Sequence, residues 1–253
     1  MPRKILTGPA SDLSVRETDF KLTIGDWGTF IPMQRQKADL LAYGKHVWFF
    51  NVFTLFIALF WQISPSIAKD QITIVALGDS LTAGYGLPQE DAFTVQLEAA
   101  LQKSGLDVRI VNAGVSGDTS TGGMQRLDWA IADGTDLILL ELGANDALRG
   151  IEPSVTKASL TAIVEELQSR NIPIFLTGMK APPNMGADYI HEFDGIYPTL
   201  ARQYSLGFYP FFLDGVAADP ALNQDDAIHP NKEGVAIIVE RMLPSLITFI
   251  KNK

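Results

Sequence analysis

The chain is expected to fold as an α/β domain, with a mostly parallel sheet carrying helices on both faces. Three observations lead there. From residue 72 onward short apolar runs alternate with longer amphipathic ones, the signature of strand–helix repeats. The composition, 47% hydrophobic and 19% charged with no low-complexity tract, is that of a packed globular domain. Turn-forming residues fall just past the ends of the apolar runs, at Ser80, Gly117 and Asn145, where parallel sheets bind ligands.

The elements follow in order. Ile72–Leu77 is predicted as a strand, Ala92–Lys103 as a helix, Val108–Asn112 as a strand and Thr121–Ala132 as a helix. Asp136–Glu141 is the third strand, Ser154–Arg170 a helix, Ile174–Thr177 the fourth strand and Tyr189–Tyr204 a helix. A short segment, Phe208–Pro210, and a closing helix, Lys232–Ile250, complete the set. Pro182-Pro183-Asn-Met-Gly186 marks an irregular loop after the fourth strand, on the same edge as the turns, and is expected to line a groove there. No internal repeat or linker divides residues 69–253, which read as one domain.

The front of the chain differs. Val47–Ile63 is the most hydrophobic stretch, 17 residues interrupted by Asn51 and Gln62, short of the ~20 a spanning helix needs. Arg35, Lys37 and Lys45 precede it and Ser66-Ile67-Ala68 follows with small residues before Lys69, the layout of a cleaved secretory signal. Residues 33–68, starting at Met33, are therefore expected to be a signal peptide, with an uncleaved membrane anchor as the alternative. Residues 1–32 read as an upstream extension from start-site assignment or a disordered tail.

Charge narrows the function. Residues 69–253 hold 13 Lys/Arg against 24 Asp/Glu, a net of −11, so no basic stripe for nucleic acid is expected. There is no cysteine, hence no disulfide, thiolate metal site or cysteine nucleophile.

The chemistry centres on Ser80, delivered by Gly78-Asp79-Ser80-Leu81 at the end of the first strand. A serine there can equally cap a helix, and Asp79 can be a cap, a turn former or a helper holding the loop. Three histidines could act as a general base. His46 adjoins the leader. His191 follows Asp188, itself expected as a helix N-cap, and reads as a surface or groove residue. His229 has Asp226 three positions before it in a turn, so that the carboxylate can hold one ring nitrogen while the other faces the serine. Asp225 reads as a solvated neighbour. Two donors could meet a developing oxyanion: the Gly117 N–H, unobstructed by a side chain, and the Asn145 amide.

The blocks Gly-Asp-Ser80-Leu, Gly117 in Ser-Gly-Asp-Thr, Gly-x-Asn145-Asp and Asp226-x-x-His229-Pro resemble, in order and spacing, the four blocks of the GDSL or SGNH hydrolases. The resemblance covers essentially residues 70–253 and is greatest to the bacterial periplasmic acyl-CoA thioesterase/lysophospholipase type. It implies a flavodoxin-like three-layer α/β/α sandwich with five strands and a catalytic triad of Ser80, His229 and Asp226. It also implies an oxyanion hole of the Ser80 N–H, the Gly117 N–H and Asn145, and a periplasmic or secreted address. The implied activity is cleavage of carboxylic esters and thioesters through an acyl-serine, without metal or organic cofactor. The expected partner is a small-molecule acyl ester or thioester. Nucleic acid is excluded, membrane lipid is at most a transient contact, and a monomer is expected.

Other readings fit less well. The chain has no Gly-x-Ser-x-Gly for a nucleophile elbow at mid-chain. Gly84-Tyr-Gly86 lacks the third glycine of a dinucleotide fingerprint. Asp79, Asp226 and His229 make a poor metal set. A carbohydrate acetylesterase and a non-catalytic acyl- or lipid-binding protein remain as alternatives.

Overall fold

A computed structural model describes residues 71–253. The leader, His46 and residues 1–32 lie outside the described residues.

The sheet is built from β1 (Ile72–Gly78), β2 (Val108–Gly114), β3 (Leu137–Leu140), β4 (Ile174–Thr177) and β5 (Gly207–Tyr209), in the spatial order β2-β1-β3-β4-β5. All four pairings are parallel. The central strands β3 and β4 are short and almost wholly apolar because both their faces are covered: all four residues of each are buried. Each such leucine contributes about 1.5–3 kcal/mol relative to exposure.

The helices are α1 (Ser80–Ala83), α2 (Phe93–Lys103), α3 (Ser120–Gln125), α4 (Leu127–Ala130), α5 (Ala144–Leu148), α6 (Pro153–Ser169), α7 (Ala187–Asp194), α8 (Ile196–Gln203) and α9 (Lys232–Lys251). The strand order reverses at β1, so right-handed crossovers put α2 on one face and the later crossover helices on the other. Accordingly α9 packs on α2, while α6 packs with α3 and α8. The result is the expected three-layer sandwich.

Two predicted helices are broken. The span 121–132 divides into α3 and α4 at Arg126, where φ is −101° and ψ 6°, and the Arg126 side chain reaches backbone carbonyls at the strand ends. The span 189–204 divides at Gly195 into α7 and α8. The N-cap of α7 is Gly186, so Asp188 lies within the first turn rather than capping it. The one-turn helices α1 and α5 carry too few residues for a period to be read.

Candidate active site

The reversal of strand order opens a crevice beyond the carboxyl ends of β1 and β3, the usual ligand position in such sheets. Ser80 enters it directly from β1. The N-cap of α1 is Asp79, whose Oδ1 accepts the Leu81 N–H at 3.0 Å. Ser80 is thereby relieved of capping, and its hydroxyl is directed to His229 Nε2 at 2.8 Å.

His229 sits in the connection between β5 and α9. Its Nδ1 lies 2.6 Å from Asp226 Oδ2, while Asp226 Oδ1 accepts the N–H groups of Ile228 and His229, both at 2.9 Å. The turn closes because Ala227 adopts φ 61°, a left-handed conformation that costs a non-glycine residue about 1–2 kcal/mol. Partial burial pushes the Asp226 carboxyl upward, but the hydrogen bonds from the His229 backbone, the His229 ring and the Ile228 N–H outweigh it and hold the group down at about 2. Ionised Asp226 only accepts, so the neutral imidazole carries its proton on Nδ1 and offers the Nε2 lone pair to Ser80.

Two struts fix these loops. Gln224 donates from Nε2 to the carbonyl of Tyr85 at 2.8 Å and to that of Pro230 at 3.0 Å, tying the histidine turn to the segment after α1. The buried Arg126 guanidinium reaches Asp118 at 2.6 Å, the Ala113 carbonyl at 2.8 Å and the Gly78 carbonyl at 2.9 Å. It therefore locks the Gly117 loop to the ends of β1 and β2. Tyr85 covers the His229 ring, with ring centroids 4.6 Å apart.

Gly117 has φ 81°, and its carbonyl accepts from Arg149 at 2.7 Å. Among the described residues neither the Ser80 nor the Gly117 N–H has an acceptor, which leaves both free for a ligand oxygen. Asn145 is the second residue of α5, whose N-cap is Gly143, where φ is 118° and a Cβ would come within 2.0 Å of the Tyr197 hydroxyl. One amide hydrogen of Asn145 goes to Asp79 Oδ2 at 3.0 Å. An amide nitrogen has two, so the other is available.

Ser80, Asn145 and His229 line one groove of about 610 Å³. Its walls are mainly apolar: Leu81, Leu148, Met179 and Phe211 stand beside Pro182 and Pro183 of the predicted loop. Gly117 is on the neighbouring loop and is not part of that lining. Phe211, Leu213, Ala217, Ala218 and Ile228 of this lining belong to the long β5–α9 connection, where apolar residues in an irregular stretch give no sequence signal. His191 and Asp225 are exposed and take no part. Among the described residues no His, Asp and Glu cluster could hold a metal ion.

Residues 76–237 match the GDSL-like lipase/acylhydrolase family. Esterase TesA of Pseudomonas aeruginosa is 35% identical over 175 residues, 69% of this chain and 87% of that protein. Thioesterase 1/protease 1/lysophospholipase L1 of Escherichia coli K12 is 35% identical over 181 residues, 71% of this chain and 86% of that protein. The crystal structure of AlinE4, an SGNH-hydrolase family esterase, superposes with a TM-score of 0.61 at 47% identity, covering 71% of this chain and 96% of that one.

Proposed function

The chain belongs to the GDSL-like lipase/acylhydrolase family and is a serine esterase, and from that premise we propose that Ser80 is its nucleophile, His229 its general base and Asp226 the carboxylate that orients the base. The observation that carries this reading is the unbroken Asp226–His229–Ser80 chain, with contacts of 2.6 and 2.8 Å, whose Ser80 and His229 line an apolar groove.

Ser80 Oγ attacks the acyl carbonyl while its proton passes to His229 Nε2. The carbonyl oxygen becomes an oxyanion that accepts hydrogen bonds from the Ser80 and Gly117 N–H groups and from Asn145. Collapse breaks the bond to the leaving group, which takes the proton from His229 and departs as alcohol or thiol. Water then attacks the acyl-serine, giving its proton to His229, and the second collapse frees the acid and restores Ser80. One oxyanion donor is worth about 100- to 1,000-fold in rate.

The substrates are carboxylic esters and thioesters whose acyl chain lies in the groove. The apolar walls favour alkyl chains over acetylated sugars. With p-nitrophenyl esters and acyl thioesters of increasing acyl length, kcat/KM is expected to rise roughly fourfold for each methylene the groove buries, at about 0.8 kcal/mol apiece. A flat series with preference for acetyl-sugars would replace this reading with a carbohydrate acetylesterase.

The catalytic unit is residues 69–253, acting as a monomer that meets lipid only transiently, in the periplasm or outside the cell after cleavage near Ala68. The basic, apolar and small-residue succession of residues 33–68 supports export. Among the described residues no helix is long and apolar enough to cross a membrane. Intact mass of the exported protein is expected to give a mature end near Lys69, whereas a chain beginning at Met1 in the membrane fraction would establish the anchor instead.

A further inference from the structure

The apolar run of β3 ends on a residue that an interior should reject. Glu141 is fully buried, and so is Asp79, opposite it at the end of β1. The Glu141 backbone continues the pairing with β1, its N–H donating to the Leu77 carbonyl at 2.8 Å, which carries the side chain beneath the nucleophile turn. There Oε2 accepts the Asp79 N–H at 3.2 Å and the Thr82 hydroxyl at 2.8 Å. The seat is built around it: a Cβ on Gly78 would come within 2.6 Å of Oε2. The other oxygen, Oε1, has no hydrogen-bond partner.

No Lys, Arg or His among the described residues forms a salt bridge with either carboxyl. Asp79 and Thr82 from the nucleophile turn contact Glu141, and the buried Tyr197 hydroxyl of α8 donates to the carbonyl of the next residue, Leu142. The nearby cationic groups are the Arg126 guanidinium, which ends on the Gly78 carbonyl, and His229, which acts on Asp79 through space. Two uncompensated carboxylates side by side in a dry interior are far costlier than one carboxylate and one neutral acid. A proton on Glu141 removes one charge and leaves the Asp79 carboxylate as the single anion of the pair. Burial and the neighbouring Asp79 charge both push the Glu141 carboxyl well up, and burial pushes Asp79 up to about 6.

Asp79 matters because it touches the reaction machinery on two sides. Oδ2 holds the Asn145 amide and Oδ1 holds the Leu81 N–H immediately after Ser80. We propose that Glu141 is a positioning residue for the oxyanion hole: as a neutral acid beneath the nucleophile turn, it fixes the Asp79 carboxylate that aims Asn145 and the Ser80 N–H. The proposal rests on the assignment of Ser80 and Asn145 given above.

The test compares wild type, Glu141→Gln, Glu141→Leu and Ser80→Ala on one p-nitrophenyl ester. Glutamine keeps the shape and a donor without a charge, so kcat is expected to stay within about threefold of wild type. Leucine leaves the Asp79 N–H and Thr82 unpaired and frees Asp79 to turn, so kcat is expected to fall about 10- to 100-fold with KM within about twofold. The wild-type minus Glu141→Gln infrared difference spectrum at neutral pH is expected to contain the C=O stretch of a protonated carboxylic acid. Glutamine as damaging as leucine, absence of that band, or full activity in Glu141→Leu would each overturn the proposal. If Glu141→Leu does not fold, Glu141→Gln and the infrared band decide it. An active Ser80→Ala would instead overturn the underlying site assignment.

Discussion

Replacing Ser80 with alanine is expected to lower kcat for ester hydrolysis by about 10⁴- to 10⁶-fold, the range seen when the nucleophile of a triad is removed. The same substitution is expected to leave the melting temperature nearly unchanged. Serine at a strand-to-helix turn could be there only as a cap, and loss of a cap costs about 0.5–2 kcal/mol, which for a domain of this size is a shift of several degrees. Here the cap is Asp79, whose Oδ1 takes the Leu81 N–H. The Ser80 hydroxyl has one partner, His229 Nε2, and the residue is only half-buried. Activity on p-nitrophenyl esters and a thermal melt of the same sample therefore separate the two roles. A variant that melts several degrees lower but still turns over would make Ser80 a structural residue.

The Asp226–His229 pair was legible in the sequence because its geometry is local. Asp226 and His229 are three residues apart, and the turn between them closes on its own backbone. The strand runs were legible for a related reason: β3 and β4 are buried on both faces, so every residue in Leu137–Leu140 and most in Ile174–Thr177 must be apolar. What could not be read depends on partners chosen from far along the chain. Arg126 looks like an ordinary helical arginine until it is seen to reach Gly78 and Ala113, at the point where the helix its neighbours predict divides in two. Glu141 looks like the polar end of an apolar strand, since nothing in the spacing joins it to Asp79, 62 residues earlier. The groove wall of Ala217, Ala218 and Ile228 is directed by contacts such as the Phe212 N–H on the Gly178 carbonyl at 2.8 Å, and loop direction leaves no periodicity.

Asp226→Asn is expected to lower kcat by about 10⁴-fold while leaving the geometry of the turn almost intact. The side-chain carbonyl of asparagine can still accept the Ile228 and His229 N–H groups that Asp226 Oδ1 accepts now. The loss comes from the other atom. An amide nitrogen in place of Oδ2 donates, so His229 Nδ1 must accept and the ring proton moves to Nε2. That proton then points at Ser80, and the imidazole can no longer take the serine's own. The substitution also removes a titration. Because the folded-state carboxyl lies near 2 and below its ordinary value of 3.8, its contribution to stability is present above about pH 4 and is lost as pH falls toward 2. Asparagine makes no such contribution at any pH. The difference in melting temperature between wild type and Asp226→Asn should consequently be largest near neutrality and shrink on acidification over that window. The carboxylate is more than one-third exposed, so solvent screening keeps the shift small and its direction is the informative quantity. A gap that widened toward pH 2, or a variant with near-normal kcat, would show that Asp226 does not hold the tautomer of His229.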